Sequence, residues 1–368
     1  MNIGVALVKV ELRPFCVPAP APPSHHSAVR GDARGDDVRG WLVGLTDGKT
    51  WGWWGPVPQS VAAPAPDLLS AAFPALPAEV DLAGFARCLR RATRHAHTGL
   101  LALTVGSLEL AAWDLAAKRA GLPVWALIAP HAGRDARVAK VPAYATCFGV
   151  GGPGRYPTRE RVAGVMDELA ETFAVQKWRP VVLDPHLLGV TTGFAERQGG
   201  GRVAVDFLGT WKPERVREVC TPLADVLAWA EEPYHPDEVH LGRRGEFGAP
   251  HAAGEHCYGP ADTAQLLSGE VDIWQPDAVF CGGWVNLAHL VRAAAAAGAI
   301  CAPHGGGFLP ALHLAALGEP IAMVELHLLL EPRRCAHLAE PPRLDTAELA
   351  VPQAPGWGGE LRRDLADG

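Results

Sequence analysis

Three acids stand where short apolar runs end in the second half of the 368-residue chain. Val203-Ala204-Val205 runs into Asp206, Val226–Ala230 into Glu231-Glu232-Pro233, and Ala252-Ala253-Gly254 into Glu255-His256. Any one of them alone reads as a solvated loop carboxylate. If the runs are successive strands of a parallel barrel, their C-terminal ends share one face and the acids converge. Converging carboxylates repel and shift one another's pKa values. A hard divalent cation removes that conflict, and all-oxygen ligation suits magnesium or manganese rather than zinc. Asp206, Glu231 and Glu255 are therefore the expected metal ligands, with Mg2+ first and Mn2+ as the alternative.

The next two runs carry a second constellation. Asp272-Ile273-Trp274-Gln275-Pro276 leads to Asp277, and Ala299-Ile300-Cys301-Ala302-Pro303 leads to His304, ahead of Gly305-Gly306-Gly307. Adjacent strand ends would set Asp277 beside His304. A carboxylate there holds the imidazole in one tautomer and raises its basicity, which makes a general base. Earlier, Val175-Gln176-Lys177-Trp178-Arg179 sends Lys177 and Arg179 to the same side by strand alternation. At a barrel mouth they would offer two positive charges to a substrate carboxylate. Arg suits bidentate binding, and Lys serves as a point charge or a base.

The elements that must position these groups follow from patterning. Ile3–Leu12 reads as a strand. Trp41–Leu45 and Thr50–Trp54 flank Thr46-Asp47-Gly48-Lys49, a hairpin turn in which Asp-Gly tolerates positive φ. Pro18–Ser27 and Pro56–Pro66 read as loops. Leu82–His95 and Leu103–Ala120 read as helices, the second stopping at Gly121 with Pro123 beyond it. From about Val141, eight strand candidates alternate with helical segments, the last being Ile321–Val324. Such alternation implies parallel strands with right-handed crossovers, and eight strands in roughly 200 residues fit a closed barrel. The tail from about Arg333 is expected to return to the N-terminal domain.

Composition narrows the function classes. The chain is 48% hydrophobic and 20% charged, with net charge −7 and no block of like charges. That argues against nucleic-acid or anionic-membrane binding and for a small carboxylate substrate met by local cations. The eight cysteines are scattered without a Cys-x-x-Cys pair, so neither a zinc knuckle nor a disulfide framework is expected. The N-terminal run carries Lys9 and Glu11 and is not a signal peptide, and no uncharged apolar segment reaches a membrane-spanning length. A cytoplasmic location is expected.

The chain resembles the enolase superfamily, in its mandelate racemase branch, and is most similar there to the acid-sugar (rhamnonate-type) dehydratases. The residues that carry the resemblance begin with Ser107-Leu108-Glu109-Leu110-Ala111-Ala112-Trp113-Asp114-Leu115-Ala116-Ala117-Lys118 and Gly121-Leu122-Pro123. They continue with Ala230-Glu231-Glu232-Pro233, Gly254-Glu255-His256, Gln275-Pro276-Asp277, Gly282-Gly283 and Pro303-His304-Gly305. The resemblance implies an α/β fold, a modified (β/α)7β TIM barrel under an α+β capping domain built from both chain ends. The expected division is residues 1–138 with 333–368 as the cap and 139–332 as the barrel. It also implies that Asp206, Glu231 and Glu255 ligate the metal while Glu232 does not. His304 with Asp277 would be the base dyad, Glu325 at the end of strand eight a polar partner of the intermediate, and Asp114 and Lys118 structural.

One departure bears on chemistry. The family usually has Lys-x-Lys on strand two, whereas this chain has Lys177-Trp178-Arg179. Arg is a poor base, which favours one-base dehydration through His304 over two-base racemisation. Lys177 stays open as base or carboxylate binder. The segment Val181–Gly201 reads as a reshaped unit with little helix. His25, His26 and Arg30 are candidate substrate contacts, and Trp51, Trp53 and Trp54 either line the pocket or pack in the core. The expected function is a magnesium-dependent acid-sugar dehydratase, with a racemase, epimerase or cycloisomerase, or a non-catalytic binding paralogue, as alternatives. A homo-oligomer, dimer to octamer, is expected.

Overall fold

The computed structural model describes residues 4–5, 9–18, 37–73, 80–96, 98–132, 138–147, 157–268 and 271–366. The cap begins with β1 (Gly4–Val5), β2 (Lys9–Val17), β3 (Val38–Thr46), β4 (Trp51–Val57) and β5 (Val80–Asp81). β2, β3 and β4 form an antiparallel sheet, and β1 pairs with β5. The β3–β4 hairpin turns where the sequence places Asp47-Gly48. Gly48 takes φ +91°, and Asp47 Oδ1 accepts from the Lys49 and Thr50 amides at 3.0 and 2.8 Å.

The helix Leu100–Ala120 crosses this sheet and is buried from Val105 through Ala117. Gly52 lets it approach, because a Cβ there would overlap the Leu115 backbone. Asp114 on this helix accepts from Trp53 N and Trp357 N, both at 2.9 Å, and pairs with Lys118 at 2.8 Å. One carboxylate thus ties the hairpin, the central helix and the tail together. Glu109, five residues earlier, accepts from Val285 N at 2.9 Å. It thereby caps the barrel helix Trp284–Ala296 from the cap side. The helix Leu100–Ala120 is the one described helix long and apolar enough to cross a membrane, and it is a core helix here.

The barrel is built from β6 (Lys140–Thr146), β7 (Gln176–Trp178), β8 (Val203–Asp206), β9 (Leu227–Glu231), β10 (His251–Ala253), β11 (Ile273–Trp274), β12 (Ile300–Cys301) and β13 (Val324–His327). From β6 to β12 each strand pairs in parallel with the next, and β13 pairs in parallel with β6. The seam between β12 and β13 is closed by Ala322 N to Cys301 O at 2.9 Å and Glu325 N to Pro303 O at 3.2 Å. Tyr144, Ala204, Trp229, Ala252, Ile273 and Ala302 fill the interior and form the floor of the mouth.

Several expectations change. Val181–Gly201 is a complete unit, a 3-10 turn Pro180–Leu183 followed by the helix Pro185–Gln198. Asp184 caps its start through His186 N, and Gly199 in the left-handed region closes its end. Pro56–Pro66 is not all loop: helices Gln59–Ala62 and Ala65–Ala72 begin there, each with a proline just ahead. The first strand extends to Val17, and strand eight begins at Val324 rather than ending there. The tail meets the cap through Trp357, and its strand β14 (Glu348–Ala350) also joins the barrel, antiparallel to β6.

Candidate active site at the barrel mouth

Strand alternation turns Lys177 inward, while its neighbours Gln176 and Trp178 pack on the outer side of β7. Lys177 is 1% exposed, and its Nζ lies 2.5 Å from Glu231 Oε1, 2.9 Å from Glu325 Oε1 and 3.9 Å from Asp206 Oδ2. Burial disfavours the ammonium, but Glu231 and Glu325 outweigh it and hold the pKa well above the usual lysine range. Arg179 emerges on the same side and donates to Asp206 Oδ2 at 3.2 Å. Asp206 also accepts from Leu208 N.

Glu231 Oε2 accepts from Gln275 Nε2 at 2.7 Å and Trp229 Nε1 at 3.0 Å. Burial, with Asp206, Glu325 and Glu255 adding to it against Lys177, pushes its pKa up to about 8. Glu325 is the second residue of β13, not its end. It accepts from Thr146 Oγ1 at 2.5 Å and Gly305 N at 3.0 Å. Burial would raise its pKa, but Lys177 and His304 keep it far below the carboxylate range.

His304 Nδ1 lies 2.8 Å from Asp277 Oδ2. The other Asp277 oxygen accepts from Val279 N and Phe280 N, so the turn after β11 fixes the carboxylate. Gly306 has to be glycine, since a Cβ there would overlap Asp277 Oδ2. His304 Nε2 faces Glu255 Oε2 at 3.3 Å and Glu325 Oε2 at 3.8 Å. Burial lowers the pKa of His304, but Glu255, Glu325 and Asp277 prevail and push it up to about 10.

The acid trio thus gathers at one mouth, with Asp206 and Glu231 sharing Lys177 and Glu255 facing His304. The four carboxylates Asp206, Glu231, Glu255 and Glu325 face two fixed cations, Lys177 and Arg179. The acids outnumber the cations, and the raised pKa values of Asp206, Glu231 and Glu255 record that crowding, which fits an all-oxygen site for a divalent ion. Such an ion would offset the field that holds His304 protonated. Among the described residues, the grouping whose ligand atoms all lie within 4.8 Å of one another is a different one: Glu232, Glu255 and His256.

Trp53 and Trp54 line a cavity of about 190 Å³ that also contains Asp277, His304, Phe280 and Arg334. Trp51 stacks on Trp53 at 5.0 Å, and the Arg13 guanidinium lies over the Trp53 ring. His25, His26 and Arg30 lie outside the described residues. The sequence reading missed Gln275 and Thr146. Both were within reach, since Gln275 sits two residues before Asp277 and Thr146 closes the first barrel strand on the face of Tyr144.

Residues 189–365 match the family model described as Enolase C-terminal domain-like. That segment, which takes in strands β8 to β13, is an enolase C-terminal-like domain. Over 318 residues it is 24% identical to the L-galactonate dehydratase of Hypocrea jecorina, covering 73% of this chain and 70% of that protein. Over 153 residues it is 32% identical to the D-galactarolactone cycloisomerase of Agrobacterium fabrum (strain C58 / ATCC 33970), covering 38% of this chain and 40% of the relative. Among solved structures, the L-talarate dehydratase of Polaromonas sp. JS666, complexed with Mg and L-glucarate, superposes with TM-score 0.73 at 22% identity. That match covers 98% of this chain and 96% of the other. Proteins similar to this chain therefore include acid-sugar dehydratases and a cycloisomerase.

Proposed function

We propose that the protein is a divalent-cation-dependent dehydratase of an acid sugar, an aldonate or aldarate. The observation that carries this reading is the asymmetry of the mouth. On one side His304 presents Nε2, with Nδ1 committed to Asp277. On the other, Lys177 is held as an ammonium between Glu231 and Glu325, and Arg179 does not release a proton. With a cation offsetting the field on His304, its Nε2 can take a proton, whereas Lys177 Nζ is engaged by two acids and Arg179 keeps its proton; that suits a single-base elimination better than racemisation.

Asp206, Glu231 and Glu255 would hold Mg2+, which when bound supplies positive charge against the negative charge developing on the substrate carboxylate. His304 Nε2 removes the proton α to that carboxylate, and the C–H electron pair moves into it. Lys177 and Arg179 add positive charge beside the resulting enediolate. His304, now imidazolium, returns its proton to the β-hydroxyl, which departs as water. The enol left behind tautomerises to a 2-keto-3-deoxy acid. The cycloisomerase relative keeps an isomerising outcome as the second reading.

The test is a sugar-acid library in deuterated water with Mg2+ present. Keto-acid product is expected. Deuterium at Cα with no water lost would move the assignment to a racemase or epimerase. Turnover that vanishes in His304→Asn while cation binding persists separates the enzyme from a non-catalytic paralogue.

A further inference from the structure

We propose that Glu232, Glu255 and His256 hold a second divalent cation, joined to the carboxylate trio through Glu255. Glu231 and Glu232 are consecutive yet serve different surroundings. Glu231 bonds Lys177, Trp229 and Gln275 inside the barrel, whereas Glu232 Oε1 lies 2.6 Å from His256 Nδ1. The second Glu232 oxygen is buried and has no hydrogen-bond partner among the described residues, in a side chain only 5% exposed. A buried carboxylate oxygen with no donor is costly, so a ligand aimed at that atom is expected.

The third member meets the other two. Glu255 Oε1 is 3.7 Å from His256 Nδ1, and its other oxygen faces His304. One ligand atom from each of Glu232, Glu255 and His256 falls within 4.8 Å of the rest. A set of two carboxylates and one imidazole suits a borderline divalent ion such as Mn2+, Fe2+, Co2+ or Zn2+ better than Mg2+. A cavity of about 290 Å³ reaches the cluster past Tyr258 and Asp262 from the Thr98–Gly99 edge of the cap. It leaves space for ligating waters and a way in for the ion. Glu232, which the family resemblance leaves out of the trio's ligand set, thereby acquires a ligand role of its own.

The experiment is Mn2+ titration of the full chain, following free and bound metal by electron paramagnetic resonance. Wild type should bind two equivalents whose signals are broadened by mutual coupling, because Glu255 is shared. His256→Asn and Glu232→Gln should each lose one of the two equivalents, and Asp206→Asn should lose the other. Melting curves recorded without metal identify a variant that fails to fold, and the wild-type stoichiometry and line shape stand without any variant. Fewer than two equivalents, two uncoupled signals, or two equivalents unchanged in folded His256→Asn and Glu232→Gln would each overturn the proposal. Keto-acid formation is scored on the same wild-type sample, so a missing second ion and a missing dehydratase activity are told apart.

Discussion

Replacing Asp114 with Ala should loosen the clasp that holds hairpin, central helix and tail together. The side chain is 3% exposed and satisfies three groups: Trp53 N, Trp357 N and the Lys118 ammonium. Lys118 is itself 4% exposed, and its other acid, Glu360, is 3.8 Å away and largely in solvent. Removing Asp114 therefore strands a buried cation, a change that typically costs about 3–5 kcal/mol. The two orphaned amides would add about 1–3 kcal/mol each if water could not reach them, so a loss of at least 4 kcal/mol is roughly what the geometry supports. Lys118→Met is the informative control. It leaves Asp114 bonded to both amides, which offset part of the stranded charge, and should cost less than Asp114→Ala. Urea unfolding followed by tryptophan fluorescence is a suitable assay, because Trp53 and Trp357 sit on the clasp. A loss below about 1 kcal/mol for Asp114→Ala, or equal losses for both variants, would refute the assignment of Asp114 as the hub.

Three further outcomes can be checked. Asp277→Asn should keep its oxygen on the Val279 and Phe280 amides and turn its NH2 toward His304 Nδ1, which forces the imidazole proton onto Nε2; turnover should fall by about 10²–10⁴, and nitrogen NMR of labelled imidazole should report the tautomer change. Burial lowers the pKa of His313 from 6.5 to about 4, so above pH 6.5 both folded and unfolded chains leave it neutral, and its contribution to stability is lost as pH falls from 6.5 to 4, by about 3 kcal/mol. His313→Gln, which can still accept from Trp125 N and donate to Trp357 O, should flatten that part of the stability–pH curve. Adding Mg2+ after exhaustive chelation should raise the unfolding free energy by about 2.7 kcal/mol at a hundredfold excess over Kd, and the gain should disappear in Asp206→Asn.

The strand-end acids were legible because two regularities act together. Apolar runs mark the strands, and parallel pairing carries every strand end to one face, so Asp206, Glu231, Glu255, Asp277 and His304 could be grouped without a structure. The same reasoning recovered the Asp47-Gly48 hairpin and the buried helix that stops at Gly121. It failed where local composition misled. Pro185–Gln198 contains Gly189, Thr191, Thr192 and Gly193, poor helix formers, and only its caps, Asp184 and Gly199, announced the helix. The two short helices after Pro58 and Pro64 were hidden by prolines that start helices as readily as they break them. The partners of Lys177 were not legible either. Whether a lysine meets substrate or sits locked between Glu231 and Glu325 depends on side-chain reach across the barrel, which sequence spacing does not encode.

The bond from Glu109 to Val285 N also determines how this molecule can breathe. The central helix of the cap plugs a carboxylate into the start of the barrel helix that follows the Asp277 turn, and at Gly106 it lies so close to Val279 that a Cβ would overlap the Val279 carbonyl. A hinge swinging the whole cap off the barrel would have to extract that carboxylate and unpack that contact each time it opened. The cap core and the base-bearing side of the barrel therefore move as one body. Under the proposed reaction, substrate would have to enter and product leave with that contact in place.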